Sequence, residues 1–85
     1  MSTIELTENP IYARLSAVTV DVLDLRDDQV APDARFADDL GADSLDLIEL
    51  VEALEEEFEV RIDEEELADI GTVGDAYGLL ESKLS

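Results

Sequence analysis

Ser44 stands in the run Leu40-Gly41-Ala42-Asp43-Ser44-Leu45-Asp46, at the point where a periodic apolar stretch begins. Gly41 admits backbone dihedrals that other residues avoid and marks a turn. Asp43 has the side chain of an N-cap, and Asp46 stands three residues on, where a capping-box acid belongs. Ser44 then falls in the first turn of a helix, where backbone N–H groups lack partners and the dipole favours negative charge. A phosphodiester on the Ser44 oxygen is well placed there. A serine at such a place is otherwise a plain capping residue. For an isolated Asp-Ser-Leu that is the simpler reading, and the surrounding sequence decides against it.

Other chemistry for Ser44 fails on its neighbours. The nucleophile elbow of serine hydrolases needs glycine two residues before and after the serine. Those positions hold Ala42 and Asp46, and the chain has no histidine to complete a triad. Absence of cysteine removes thiolate nucleophiles, disulfides and Cys-based metal sites. An EF-hand loop started at Asp38 reaches a glutamate at its twelfth position, Glu49, but places Leu40 and Ala42 at ligand positions and Asp43 where glycine is required. No metal site is expected beyond diffuse, weak attraction of divalent cations. Gly71-Thr72-Val73-Gly74 has no following lysine and is no phosphate loop.

The elements that must position Ser44 fit one small domain of 85 residues. Such a chain supports a modest core and no deep cleft. Asn9-Pro10 reads as an N-cap followed by a first-turn proline. Ile11, Leu15, Val18 and Val22, extended by Leu25, predict a helix over about residues 10 to 24. Residues 25–43 are read as a long connection anchored by Val30, Phe36 and Leu40. Leu47, Leu50, Val51, Leu54 and Phe58 give the inner face of a second helix from Ser44 to Phe58 or Glu59. Leu45 and Ile48 fall outside that stripe. Asp63 and Glu66 open a short third helix with Leu67 and Ile70 as its inner contacts, and Gly71 stops it. Thr72 caps a last helix with Asp75 at its third position, and Val73, Tyr77, Leu80 and Leu84 form its apolar face, weakened at Gly74 and Gly78. The expected fold is an all-α four-helix bundle with a short third helix. Residues 1–8 are expected to be a flexible leader and residues 9–85 the folded domain.

Charge narrows the partners. The formal net charge is −19, with 24 acids against five bases. Nucleic acid and anionic membranes repel such a surface, whereas basic patches on proteins are steered towards it. Disorder is the other meaning of high charge, but 46% of residues are hydrophobic and they are periodic. From Asp43 to Glu66 the chain holds twelve acids and one base, Arg61. A solvated helix face is the usual meaning of such a run. Yet charges this dense repel one another and weaken the fold, so a recognition surface for basic partners accounts for them more economically. No apolar stretch approaches a membrane span of about 20 residues. Met1-Ser2-Thr3-Ile4-Glu5 lacks the pattern of a secretory signal, so a cytoplasmic location is expected.

Gly41-Ala42-Asp43-Ser44-Leu45-Asp46, followed by Glu49-Leu50-Val51 and Ala53-Leu54-Glu55-Glu56-Glu57-Phe58, resembles the acyl carrier protein family over about residues 10–84. The resemblance implies a non-enzymatic, free-standing carrier, monomeric, with 4′-phosphopantetheine attached covalently to Ser44 beside Asp43. A phosphopantetheinyl transferase using coenzyme A would load it. Leu45, Asp46, Ile48, Glu49, Glu52, Glu55 and Glu56 would then meet basic-patch acyl-transfer and synthase enzymes, and the apolar interior would shelter an acyl chain. Bacterial fatty-acid carriers often have methionine where Glu52 stands, while Ile48 keeps the apolar contact; the departure speaks against a housekeeping fatty-acid role and leaves room for a polyketide or other specialised pathway. A peptidyl or aminoacyl carrier is the nearest alternative. It more often has a second glycine where Ala42 stands, and a less acidic second helix. From another class, an acidic interaction module would need no modified serine.

Overall fold

Asn9 opens the first helix in the computed structural model, which describes residues 9–84. Its side chain accepts hydrogen bonds from the N–H groups of Ile11 at 2.9 Å and Tyr12 at 3.4 Å, and Pro10 takes the first helical position, where no N–H is needed. The expected leader over residues 1–8 lies outside the described residues. Four α-helices follow among those described: α1 (Pro10–Leu23), α2 (Ser44–Phe58), α3 (Glu64–Ala68) and α4 (Val73–Leu84). A single 3-10 turn, Asp27–Gln29, interrupts the α1–α2 connection.

α1 ends one residue before the expected boundary because Asp24 turns left-handed, with φ of 53°. The Leu25 N–H then donates back to the Val20 carbonyl at 3.0 Å. Glu59 closes α2 in the same way, with φ of 54° and the Val60 N–H donating to the Glu55 carbonyl at 3.1 Å.

The core stripe of α1 is rotated from the expected one. Tyr12, Leu15 and Thr19 are buried, while Ile11, Val18, Val22 and Leu25 flank them half-buried. Thr19 tolerates this because its hydroxyl donates to the Leu15 carbonyl at 2.8 Å. Tyr12 packs edge-on against Tyr77, with ring centroids 6.1 Å apart. Burial, and then the charge of Asp33, raises the pKa of its phenol. α1 lies against α2, and Arg14 pairs with Glu57 while its guanidinium sits 5.2 Å over the Phe58 ring.

α4 completes the core through Val73, Ala76 and Leu80. Leu84, expected on this face, is 42% exposed, at the rim of a groove with Ile11 and Phe58. Lys83 ties α4 to α3 by an ion pair with Glu66 at 2.9 Å. The Asp63 N–H and Lys83 both donate to the Glu66 carboxylate, and its pKa is lowered accordingly.

The long connection is pinned rather than loose. The Phe36 N–H donates to the Gly71 carbonyl at 3.1 Å, and the Val73 N–H donates to the Ala34 carbonyl at 3.0 Å. These bonds form an antiparallel bridge between Arg35 and Thr72 that the sequence reading did not include. The Gly74 N–H adds a bond to the Pro32 carbonyl at 2.8 Å. Ala34, Phe36, Leu40 and Ala42 point into the core, and the chain reaches Ser44 from a fixed base.

Candidate functional site

Three local features set the place of Ser44. The Ala42 N–H donates to the Phe36 carbonyl at 2.8 Å, which folds residues 36–42 into a tight loop. Gly41 sits at φ of 70°, in the left-handed region where its missing Cβ matters, between buried Leu40 and Ala42. Asp43 is then the N-cap of α2: its carboxylate accepts from the Asp46 N–H at 2.9 Å, and its own N–H donates to the Asp46 carboxylate at 3.1 Å. The reciprocal box expected from sequence is formed.

Because Asp43 supplies the cap, the Ser44 hydroxyl is not needed for it. Ser44 is the first helical residue and is exposed. The N–H groups of Ser44 and Leu45 belong to the first turn and have no intrahelical acceptor. A phosphodiester on Ser44 therefore meets free donors and the positive end of the α2 dipole. The carboxylates of Asp43 and Asp46 oppose it, but their oxygens are turned to each other's backbone N–H groups. A Cβ built on Gly41 would meet nothing within 4 Å, so it is the backbone conformation and not crowding that asks for glycine there. The residues present fit a covalently attached phosphate.

The outer side of α2 continues from this point. Leu45 is 62% exposed and Ile48 44%, and both lie within about one turn of Ser44. Glu49, Glu52 and Glu56 are exposed, and Leu45, Glu49, Glu52 and Glu56 recur at the spacing of one helical stripe, opposite buried Leu50 and Leu54. Asp46 is half-buried in its capping contact. Glu55 stands apart from its neighbours. It is half-buried, and its carboxylate accepts from the Ile62 N–H at 2.7 Å, clamping the segment between α2 and α3. Nothing in the residue pattern announced that clamp, since it joins positions seven apart across a left-handed turn.

Opposite Arg35, at the junction of α3 and α4, Thr72 and Asp75 form the expected cap of α4. The Asp75 N–H donates to the Thr72 hydroxyl at 3.1 Å, and the Asp75 carboxylate accepts from the N–H groups of Gly71 at 3.0 Å and Thr72 at 3.1 Å. Those backbone donors, Gly71 first and then Thr72, lower the Asp75 pKa. The same residues carry the bridge to Arg35, so the cap of α4 also fixes the loop that delivers Ser44.

No helix among the described residues is long and apolar enough to cross a membrane. The family model of the phosphopantetheine attachment site matches residues 13–80. Among solved structures, the acyl carrier protein of Enterococcus faecalis is similar to this chain, with 31% identity and a TM-score of 0.72. That likeness covers 98% of this chain and 99% of the other. Domains of this family carry 4′-phosphopantetheine covalently and are not themselves catalysts. A family match over most of the sequence and a relative aligned along nearly all of it agree with the geometry at the start of α2: the chain belongs to the acyl carrier protein family of phosphopantetheine-bearing carriers.

Proposed function

We infer that Ser44 is the attachment residue and that the chain carries acyl intermediates for a fatty-acid- or polyketide-type biosynthetic system in the cytoplasm. The observation that carries this reading is the division of labour at the start of α2. Asp43 caps the helix, and the exposed Ser44 beside it is left with an unused hydroxyl. A phosphopantetheinyl transferase moves the arm from coenzyme A: the Ser44 oxygen gives up its proton and bonds the pantetheine-bearing phosphorus, while the pyrophosphate linkage of coenzyme A breaks and adenosine 3′,5′-bisphosphate leaves. The attached group supplies a terminal thiol that holds an acyl chain as a thioester. The first turn of α2 holds the phosphate, and the arm raises the effective concentration of its cargo at each partner's active site.

Leu45 and Ile48 offer partners an apolar contact beside Ser44, rimmed by Asp46, Glu49, Glu52 and Glu56. A net charge of −19 steers basic patches to that face. Glu55 joins the face through its exposed part while it holds the α2–α3 segment. Glu52, where fatty-acid carriers often have methionine, favours a specialised pathway such as polyketide assembly. The chain acts as a monomer.

Ser44→Ala tests the reading. Its helicity by circular dichroism stays at the wild-type level, because loss of even a capping serine costs about 1 kcal/mol and Asp43 is the cap here. After incubation with coenzyme A and a transferase, intact mass shows one added phosphopantetheine on wild type and none on the variant. Modification of the variant, or a wild type that no competent transferase modifies, overturns the assignment and favours an acidic interaction module.

A further inference from the structure

A thioester held on a tether meets the nucleophiles of its own chain at high effective concentration. This sequence is almost bare of them. It has no cysteine and no histidine, its four arginines stay protonated, and Lys83 is its one lysine. Lys83 is therefore the single side-chain amine of the 85 residues.

That amine is held. Lys83 is half-buried in the last turn of α4, and its Nζ lies 2.9 Å from the Glu66 carboxylate. The Asp63 N–H donates to the same carboxylate at 3.1 Å, so Glu66 closes the cap of α3 and holds the amine together. Its neighbour Leu67 lines one cleft with Ile48, and Ile48 stands about one turn beyond Ser44 on α2. Only the short α3 thus separates the side of α2 that bears Ser44 from Lys83. A thioester on a second copy is kept away, because each chain carries a net charge of −19.

We propose that Lys83 is an acylation site for the thioester carried by its own chain, held in check by Glu66. The Lys83 nitrogen leaves Glu66, gives one proton to water and attacks the thioester carbonyl carbon. An amide bond forms as the carbon–sulfur bond breaks, and a second amine proton passes to the departing sulfur. No oxidant, reductant or further reactant is needed. The chain loses its cargo from the arm and its charge at Lys83, and with that charge the ion pair to Glu66. α3 has no fully buried residue, and Leu67 and Ile70 are half-buried against the core, so loss of the tie loosens it. The inference rests on the reading that Ser44 carries the arm.

The test loads the full chain with an acetyl-bearing arm from acetyl-coenzyme A, removes the unused thioester, and holds the product at mildly alkaline pH. Hydroxylamine then strips thioesters, and intact mass with peptide mapping reads the amide at Lys83 apart from any on the terminal amine. Wild type gains this amide slowly. Glu66→Gln gains it about two- to fivefold faster, the worth of a partly exposed ion pair, while glutamine keeps the capping box. Lys83→Arg gains none at that position and decides the site even should Glu66→Gln fold poorly. A nitrogen-15-labelled Ser44→Ala chain in the same mixture, which bears no arm, stays unmodified at Lys83. The acylated wild type, parted from the rest by ion exchange, exchanges the Leu67 and Asp69 N–H groups faster than the unmodified chain. No amide at Lys83 in wild type and Glu66→Gln, equal rates in the two, or equal modification of the armless chain overturns this inference alone. Failure of Ser44 to load overturns the carrier reading and the inference with it.

Discussion

Gly74 and Gly78 lie in the same helix, one turn apart, and helix propensity alone ranks both as sites where alanine stabilises by up to about 1 kcal/mol. The tertiary structure separates them. A Cβ on Gly78 meets nothing within 4 Å, and the residue is exposed. Gly78→Ala should therefore realise most of the gain, about 0.5–1 kcal/mol. A Cβ on Gly74 falls 2.9 Å from the Pro32 carbonyl oxygen, closer than real Cβ contacts come. That oxygen belongs to the backbone and also accepts the Gly74 N–H at 2.8 Å, so it has no free direction of retreat. Overpacking costs about 1–3 kcal/mol, and stretching the bond adds about 0.5–1.5. The propensity gain at Gly74 is small because position two of a helix lacks its full hydrogen bonding. A net gap between the variants of at least roughly 2 kcal/mol follows, or about 8–16 °C or more in Tm for a domain of this size. Thermal and urea melts by circular dichroism read it, with Gly78→Ala above wild type and Gly74→Ala below. Hydrogen exchange adds a local signature, since loosening the strap at Pro32 should speed exchange at the Phe36 and Ala42 N–H groups in Gly74→Ala alone. A Gly74→Ala variant that melts at or above wild type would refute the argument that this close approach holds the loop.

Leu54, 1% exposed at the centre of α2, should cost about 2–5 kcal/mol as alanine, against a total near 5 for a small domain, so its urea midpoint falls steeply. Leu45→Ala, 62% exposed in the same helix, should leave the midpoint unchanged while weakening acyl transfer by partner enzymes; a matching loss of stability in both would mean the face is misread. The Asp75 carboxylate has its pKa lowered by the Gly71 and Thr72 N–H groups, so its contribution is full above the ordinary Asp value of about 3.9 and is lost as pH falls through the depressed folded value. Glu66, whose pKa is also lowered, acts with the same sign, so the measurement is the difference between wild type and Asp75→Asn in urea melts from neutral to acid pH. That difference should shrink below the ordinary Asp value, and a constant difference would remove Asp75 from the acid response.

Sequence and tertiary structure divide this protein along a physical line. The caps at Asn9, Asp43–Asp46 and Thr72–Asp75 were legible because each joins residues two or three apart, a distance that helical geometry fixes whatever the rest of the chain does. The α2 stripe of Leu47, Leu50, Val51, Leu54 and Phe58 was legible, with Leu47 half-buried and the other four buried, because an acidic outer face leaves one way to turn the helix. Ser44, its cap and the exposed Leu45 and Ile48 follow from those two facts, so the candidate site was largely written in local spacing. On α1 the same rule placed the stripe too far round. That helix is apolar on a wide arc, and its neighbours chose the line through Tyr12, Leu15 and Thr19. The α4 stripe ran on to Leu84 because periodicity carries no information about where the packing partner ends. The Arg35–Thr72 bridge, the Glu55 clamp on Ile62 and the demand for glycine at Gly74 were not legible. Each depends on which distant or loop-separated segments meet, and each has on at least one side a backbone group that is the same in every residue type, so the side-chain pattern does not mark the partner until the chain has closed.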